Sequence, residues 1–237
     1  MCTVSFYKGK DQAIITSNRD ENINRPLALP PKKIFLEYSA VYCPIDPLHN
    51  GTWFTVSKKG NVLVLLNGAE KKHISNPPYK KSRGLVLLDI ADSIDIIEKW
   101  RSVDLQLIEN FTIVSYSDGK LIQFRWDGIN KSQIALNEIN PHIWSSTTLY
   151  DQDSIIRREE WFHDFLANKK NVVTGDDFFN FHTNTKNEDK KNGLIINRAN
   201  QILTKNVTQT VIYQSHFTIE HRDLITNKCT IIADLIA

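Results

Sequence analysis

The chain has 237 residues, a formal charge of +2, and 41% apolar and 24% charged residues. This is the balance of an ordinary soluble globular protein, long enough for a substantial core, and so weak a net charge gives no electrostatic case for a nucleic-acid partner. Three cysteines, Cys2, Cys43 and Cys229, fit neither a disulfide framework nor a zinc site and favour a reducing, cytoplasmic compartment.

In chain order, Thr3–Tyr7 and Gln12–Ser17 are apolar strand-like stretches around the turn Lys8-Gly9-Lys10-Asp11. A hairpin there brings Asn18-Arg19-Asp20-Glu21 back beside Cys2. Residues 18–32 are polar and end in Leu29-Pro30-Pro31, which predicts a loop across the sheet end. Short strands are expected at Ile34–Leu36 and Ala40–Cys43, then turns at Pro44-Ile45-Asp46-Pro47 and His49-Asn50-Gly51. Trp53–Val56 and Val62–Leu66 form a second hairpin, and the unbroken apolar run of its latter half predicts burial on both faces.

Residues 69–81 form a basic, proline-bearing loop. Ser82 is placed to cap a helix carrying Leu85, Leu88 and Ala91, and a second helix spans about Ser93 to Arg101. Strands return at Phe111–Ser115, Leu121–Trp126, Ile134–Leu136 and Ile143–Ser145. Asp153 and Ser154 precede an amphipathic helix with Ile155, Phe162, Phe165 and Leu166 on its inner face. A further helix includes Phe178, Phe179 and Phe181, residues 183–192 are polar enough for disorder, and strands close the chain at Leu194–Ile196, Val207–Gln214, Phe217–Arg222 and Cys229–Leu235. Hairpins at both ends with helices grouped between them indicate an α+β class. No clean linker or repeat divides the chain, so a single domain over residues 1–237 is expected.

The start also lacks the basic-then-apolar pattern of a signal peptide, and no apolar run approaches the ~20 residues of a membrane span. The seven histidines are scattered without HxxxH or HExxH spacing, so no metal is expected; His216 and His221 are candidates for a ligand such as haem, though a lone strand histidine is more often surface.

Cys2 carries the chemistry. Once Met1 is removed, an N-terminal cysteine holds a nucleophile and a base together: the α-amine titrates near about 7.7–8.0 and the thiol near about 8.5. The alternative is a small hydrophobe in an edge strand. Arg19 and Asp20 are adjacent and in a strand would point to opposite sides; in a loop both turn to the amine. Asn67 ends the buried strand and precedes Gly68, which also fits an Asn-Gly hairpin turn.

Met-Cys at the start, Asn18-Arg19-Asp20-Glu21 after the second strand, Arg25-Pro26, Gly51-Thr52-Trp53, Asn67 and Ser82-Arg83-Gly84 together resemble the NRDE-motif proteins of transport and Golgi organisation, placed with the N-terminal-nucleophile hydrolases. The resemblance implies an αββα sandwich, two antiparallel sheets between helical layers. It implies an amidase acting on a linear amide or related acyl bond, with Cys2 as nucleophile, Arg19 and Asp20 (or Glu21) setting the charges at the thiol and amine, and Asn67 on the oxyanion. Two departures stand out. Ser146 occupies the place of a second oxyanion asparagine, and Val207 that of a late arginine. Serine can still donate one hydrogen bond, whereas valine can make no ion pair. The resemblance equally admits a non-enzymatic lipid- or haem-handling protein on the same fold. The expected partners are therefore a small acyl or amide substrate or a lipid or haem ligand, with no resident cofactor.

Overall fold

A computed structural model describes residues 3–236. The strands are β1 (Thr3–Lys8), β2 (Gln12–Asn22), β3 (Leu29–Phe35), β4 (Ala40–Ile45), β5 (Phe54–Ser57), β6 (Val62–Asn67), β7 (Phe111–Ser117), β8 (Lys120–Trp126), β9 (Lys131–Leu136), β10 (His142–Ser145), β11 (Asn197–Arg198), β12 (Ile202–Tyr213), β13 (His216–Asp223) and β14 (Lys228–Leu235). The helices are α1 (Arg83–Ala91), α2 (Ile96–Ser102), α3 (Gln152–Ala167) and α4 (Gly175–Asn184). One antiparallel sheet runs β10-β1-β2-β12-β13-β14, with β11 beside β12; the other follows chain order from β3 to β9. Helices α3 and α4 cover the first sheet, α1 covers β5 and β6 of the second, and the bare faces of the two sheets meet. The result is the αββα sandwich.

Strand periodicity builds these layers. In β1 and β2, Val4, Phe6, Ala13 and Ile15 turn into the core shared by the two sheets. Ile14 turns the other way, against Phe162, Phe178 and Phe181 of α3 and α4. The run Val62–Leu66 is buried throughout, with α1 on one side and β1 on the other. Both faces of these strands are covered, so the hydrophobic run is continuous.

Several boundaries differ from expectation. Residues 18–22 are strand rather than loop: β2 continues to Asn22, with Arg19 paired to Asn206 and Asp20 to Thr204. Polar side chains there find partners inside the protein, which apolar periodicity cannot register. Pro30 and Pro31 sit in edge strand β3 at a register shift between Leu29 and Lys32, where a missing N–H is tolerated. Helix α3 is capped by Asp151, whose carboxylate accepts from the Ser154 N–H. Of residues 183–192, the first two close α4 and the rest form turns in which the Asp189 side chain accepts from the Lys191 and Asn192 N–H groups. Leu194 and Ile196 are buried but not in a strand; Ile196 N–H donates to Thr204 Oγ1.

Helix α1 begins where Ser82 accepts from Leu85 N–H, and its first turn crosses the Gly51-Thr52 backbone. A Cβ on Gly84 would stand 2.8 Å from the Thr52 carbonyl oxygen and 2.9 Å from its nitrogen. Gly84→Ala is therefore expected to lower stability by about 1–3 kcal/mol through overpacking. A shifted urea midpoint measures this, and an unchanged midpoint refutes the close approach.

Candidate active site

Where the two sheets and the start of α1 meet lies a cleft of about 590 Å³. Its wall is set by the strand ends. Arg19, on the inner face of β2, is 2% exposed, and its Nη2 lies 2.8 Å from Asp46 Oδ2. The same oxygen accepts from Arg25, Nη2 at 2.9 Å and Nε at 3.0 Å, while Glu21 stands further from Arg19 at 3.5 Å. Burial pushes the Asp46 carboxyl up, but the Arg25 hydrogen bond and the Arg19 charge outweigh it and hold the carboxyl below its usual range. Asp46 is positioned by its own turn, in which its N–H donates to Gly51 and its carbonyl accepts from Asn50. The Arg19 guanidinium lies over the Trp53 ring, 4.7 Å from its centroid.

Asn67 ends β6 and lines the same cleft. Asn67-Gly68 is not a hairpin turn, because the chain passes on to α1 and the next strand begins only at Phe111. Gly68 has φ 84° and donates to the Asn110 carbonyl; a side chain on it would collide with Thr147 Oγ1. The Asn67 carbonyl accepts from Ser146 Oγ at 2.7 Å. Ser146 is buried, touches Thr148 Oγ1, and is not among the residues lining the cleft. Its hydroxyl holds the backbone of Asn67.

Arg19 and Asp20 point to opposite faces, as adjacent strand residues must. Asp20 faces the helical layer, where it accepts from Tyr150 Oη at 2.8 Å and from Thr204 Oγ1. The carboxylate beside Arg19 is thus Asp46, which the sequence marked only as turn chemistry. Val207, opposite Asn18, is fully buried. His221 is buried rather than on the surface: its Nδ1 meets Thr208 Oγ1 at 2.8 Å, and burial pushes it down to about 4. Cys2 lies outside the described residues. Among the described residues no cluster of three or more metal-ligating side chains occurs, and no helix is long and apolar enough to cross a membrane.

The Transport and Golgi organisation 2 family matches residues 1–231 of the sequence. The chain belongs to that family. No curated protein sequence matches it. Among solved structures it is similar to a mutant conjugated bile acid hydrolase from Clostridium perfringens, with TM-score 0.59 and 13% identity over 100% of this chain and 97% of that one. A second variant of that hydrolase gives TM-score 0.56 and 12% identity over 98% and 92%. A Caenorhabditis elegans N-acylethanolamine-hydrolyzing acid amidase ortholog gives TM-score 0.56 and 9% identity over 88% and 92%. This family member therefore has the N-terminal-nucleophile hydrolase fold.

Proposed function

We propose that the chain is an N-terminal-cysteine hydrolase of linear amide or related acyl bonds, with Cys2 as nucleophile after Met1 is removed. The observation that supports it is the convergence of Arg19 and Asn67 in one cleft, on a fold shared with a conjugated bile acid hydrolase and an N-acylethanolamine-hydrolyzing acid amidase ortholog. Cys2 is bonded to Thr3, whose register partner is Asn18, the neighbour of Arg19.

In this mechanism the α-amine takes the thiol proton and the sulfur attacks the acyl carbon. The oxyanion accepts from the Asn67 amide, a contact worth roughly 3–4 kcal/mol in the transition state. Collapse breaks the C–N bond, and the leaving amine takes the proton from the α-ammonium. Water, deprotonated by the same amine, then attacks the thioester; the acid leaves and the thiol is restored. Arg19 favours the thiolate. Asp20 supports the α-ammonium from the opposite face of β2, and Ser146 fixes Asn67. While Met1 remains, the Cys2 nitrogen is an amide and cannot act as a base.

Selective acylation tests this. Cys43 is buried and its thiol is pushed up to about 12, and the Cys229 thiol is raised by burial and by Glu220. At pH 7 an electrophilic acyl probe is expected to label Cys2 at least about tenfold faster than either, and Cys2→Ala to abolish both labelling and amide turnover. Intact mass of protein from its native host is the companion measurement. Full retention of Met1 there would overturn the mechanism and leave a lipid- or haem-binding protein on the same fold.

A further inference from the structure

We infer that the cleft receives a carboxylate between Arg19 and Trp53, so that the substrate of the amide-hydrolase reading, on which this rests, is an acidic amide. Among the described residues, two of the buried donors that have no acceptor belong to this one site. Arg19 Nη1 and Trp53 Nε1 are both shielded from solvent and both without a hydrogen-bond partner. Their residues line the cleft and stack on one another. Guanidinium and indole N–H groups can only donate, so what is missing is an acceptor. A buried donor left unpaired is unfavourable, and one carrying charge more so.

The chemistry of the acceptor follows from its surroundings. The other terminal nitrogen of Arg19 is already committed to Asp46, which is shared with Arg25. That leaves two donors for one ligand group, and a carboxylate offers an oxygen to each. A charged donor prefers an anionic oxygen to a neutral one. Lys80, Lys81 and Arg83 in the lining are each paired with a carboxylate, Asp104, Asp89 and Glu109, so the pull on an anion is local to Arg19 and Trp53. The neutral part of the substrate, its scissile carbonyl, is left to Asn67.

Calorimetric titration of the full chain with N-acetylglycine, N-acetyl-β-alanine and 4-acetamidobutyrate, each beside its methyl ester, tests the inference across three spacings. The Cys2→Ala chain is titrated in parallel so that binding is read without turnover. At least one acid is expected to bind tenfold or more tightly than its ester. Trp53→Phe, which keeps the ring under Arg19 but removes the N–H, is expected to weaken the acid about tenfold and leave the ester unchanged. Equal affinities of acid and ester, no binding by any acid, or an unchanged acid affinity in folded Trp53→Phe would each overturn it. The acid–ester contrast is read on the unmutated side chains, so it stands even if the Trp53 variant fails to fold. Turnover of neutral amides without acid preference would sink this inference and leave the hydrolase reading intact. Tight acid binding without Cys2-dependent turnover would do the reverse.

Discussion

Asp46→Asn is expected to destabilise the protein by about 3–5 kcal/mol at neutral pH, the range for removing one partner of a buried ion pair. The variant keeps the shape and the turn hydrogen bonds of Asp46 but leaves Arg19, 2% exposed, beside Arg25 with no carboxylate closer than Glu21 at 3.5 Å. The loss comes from an uncompensated cation rather than from a missing contact, which is why a conservative substitution suffices. The pH dependence follows from the lowered Asp46 carboxyl. Its contribution is fully present above the unfolded value, near about 3.9, and is lost as pH falls through the lower folded value. Urea unfolding of wild type and variant should therefore differ most above pH 5 and converge toward pH 2. A constant gap over that range would show that charge is not the cause. Because Arg19 lines the cleft, the variant also tests the site: with its neutralising carboxylate gone, Arg19 favours the thiolate more, so thiol reactivity should rise while stability falls.

Much of this fold was legible because apolar residues report burial. The alternation in β1 and the unbroken run of β6 placed central strands in both sheets, and Ser82 marked the start of α1 through its cap. The second half of β2 was illegible for the same physical reason. From Asn18 to Asp20 the strand is buried yet polar, each side chain partnered by a residue far along the chain: Asn18 by His182 and Leu194, Arg19 through Nη2 by Asp46, Asp20 by Tyr150 and Thr204. Nothing local distinguishes such a strand from a loop. The candidate site divides likewise. Arg19 and Asn67 were marked by their place after strands, and they share the cleft. Asp46 was hidden between two prolines, and Trp53 passed as one more strand aromatic, because partner and stacking are tertiary facts. The placement of Ser146 against the Asn67 carbonyl was equally out of reach.

Stability is also expected to fall steadily as pH drops below about 6.5, by up to about 1.4 kcal/mol per pH unit for each histidine buried neutral. His182 is the stronger case. It is fully buried on α4, with Nδ1 2.5 Å from Asn18 Oδ1 and Nε2 2.6 Å from Ser5 Oγ. The Asn18 amide nitrogen is spent on the His182 and Leu194 carbonyls, so its oxygen faces the ring and Nδ1 must donate. Nε2 then accepts from the Ser5 hydroxyl, and the neutral ring is satisfied on both sides. A second proton has no acceptor unless Ser5 rotates, and it brings a charge into an apolar layer near Arg158. Burial first, then that arginine, pushes His182 down to about 3. The sign follows: between the unfolded value near about 6.5 and the folded value the unfolded chain binds the extra proton, so stability is complete above about 6.5 and is lost toward pH 3. His221, pushed down to about 4, adds a second proton over most of that range. His182→Gln is expected to lower stability at pH 7 but to flatten the acid limb by one proton. His221→Gln should remove the other, and the double variant should leave only the carboxylates. Unfolding free energies measured from pH 8 to pH 3 decide it; a His182→Gln chain with the wild-type slope would mean that His182 is charged in the native protein.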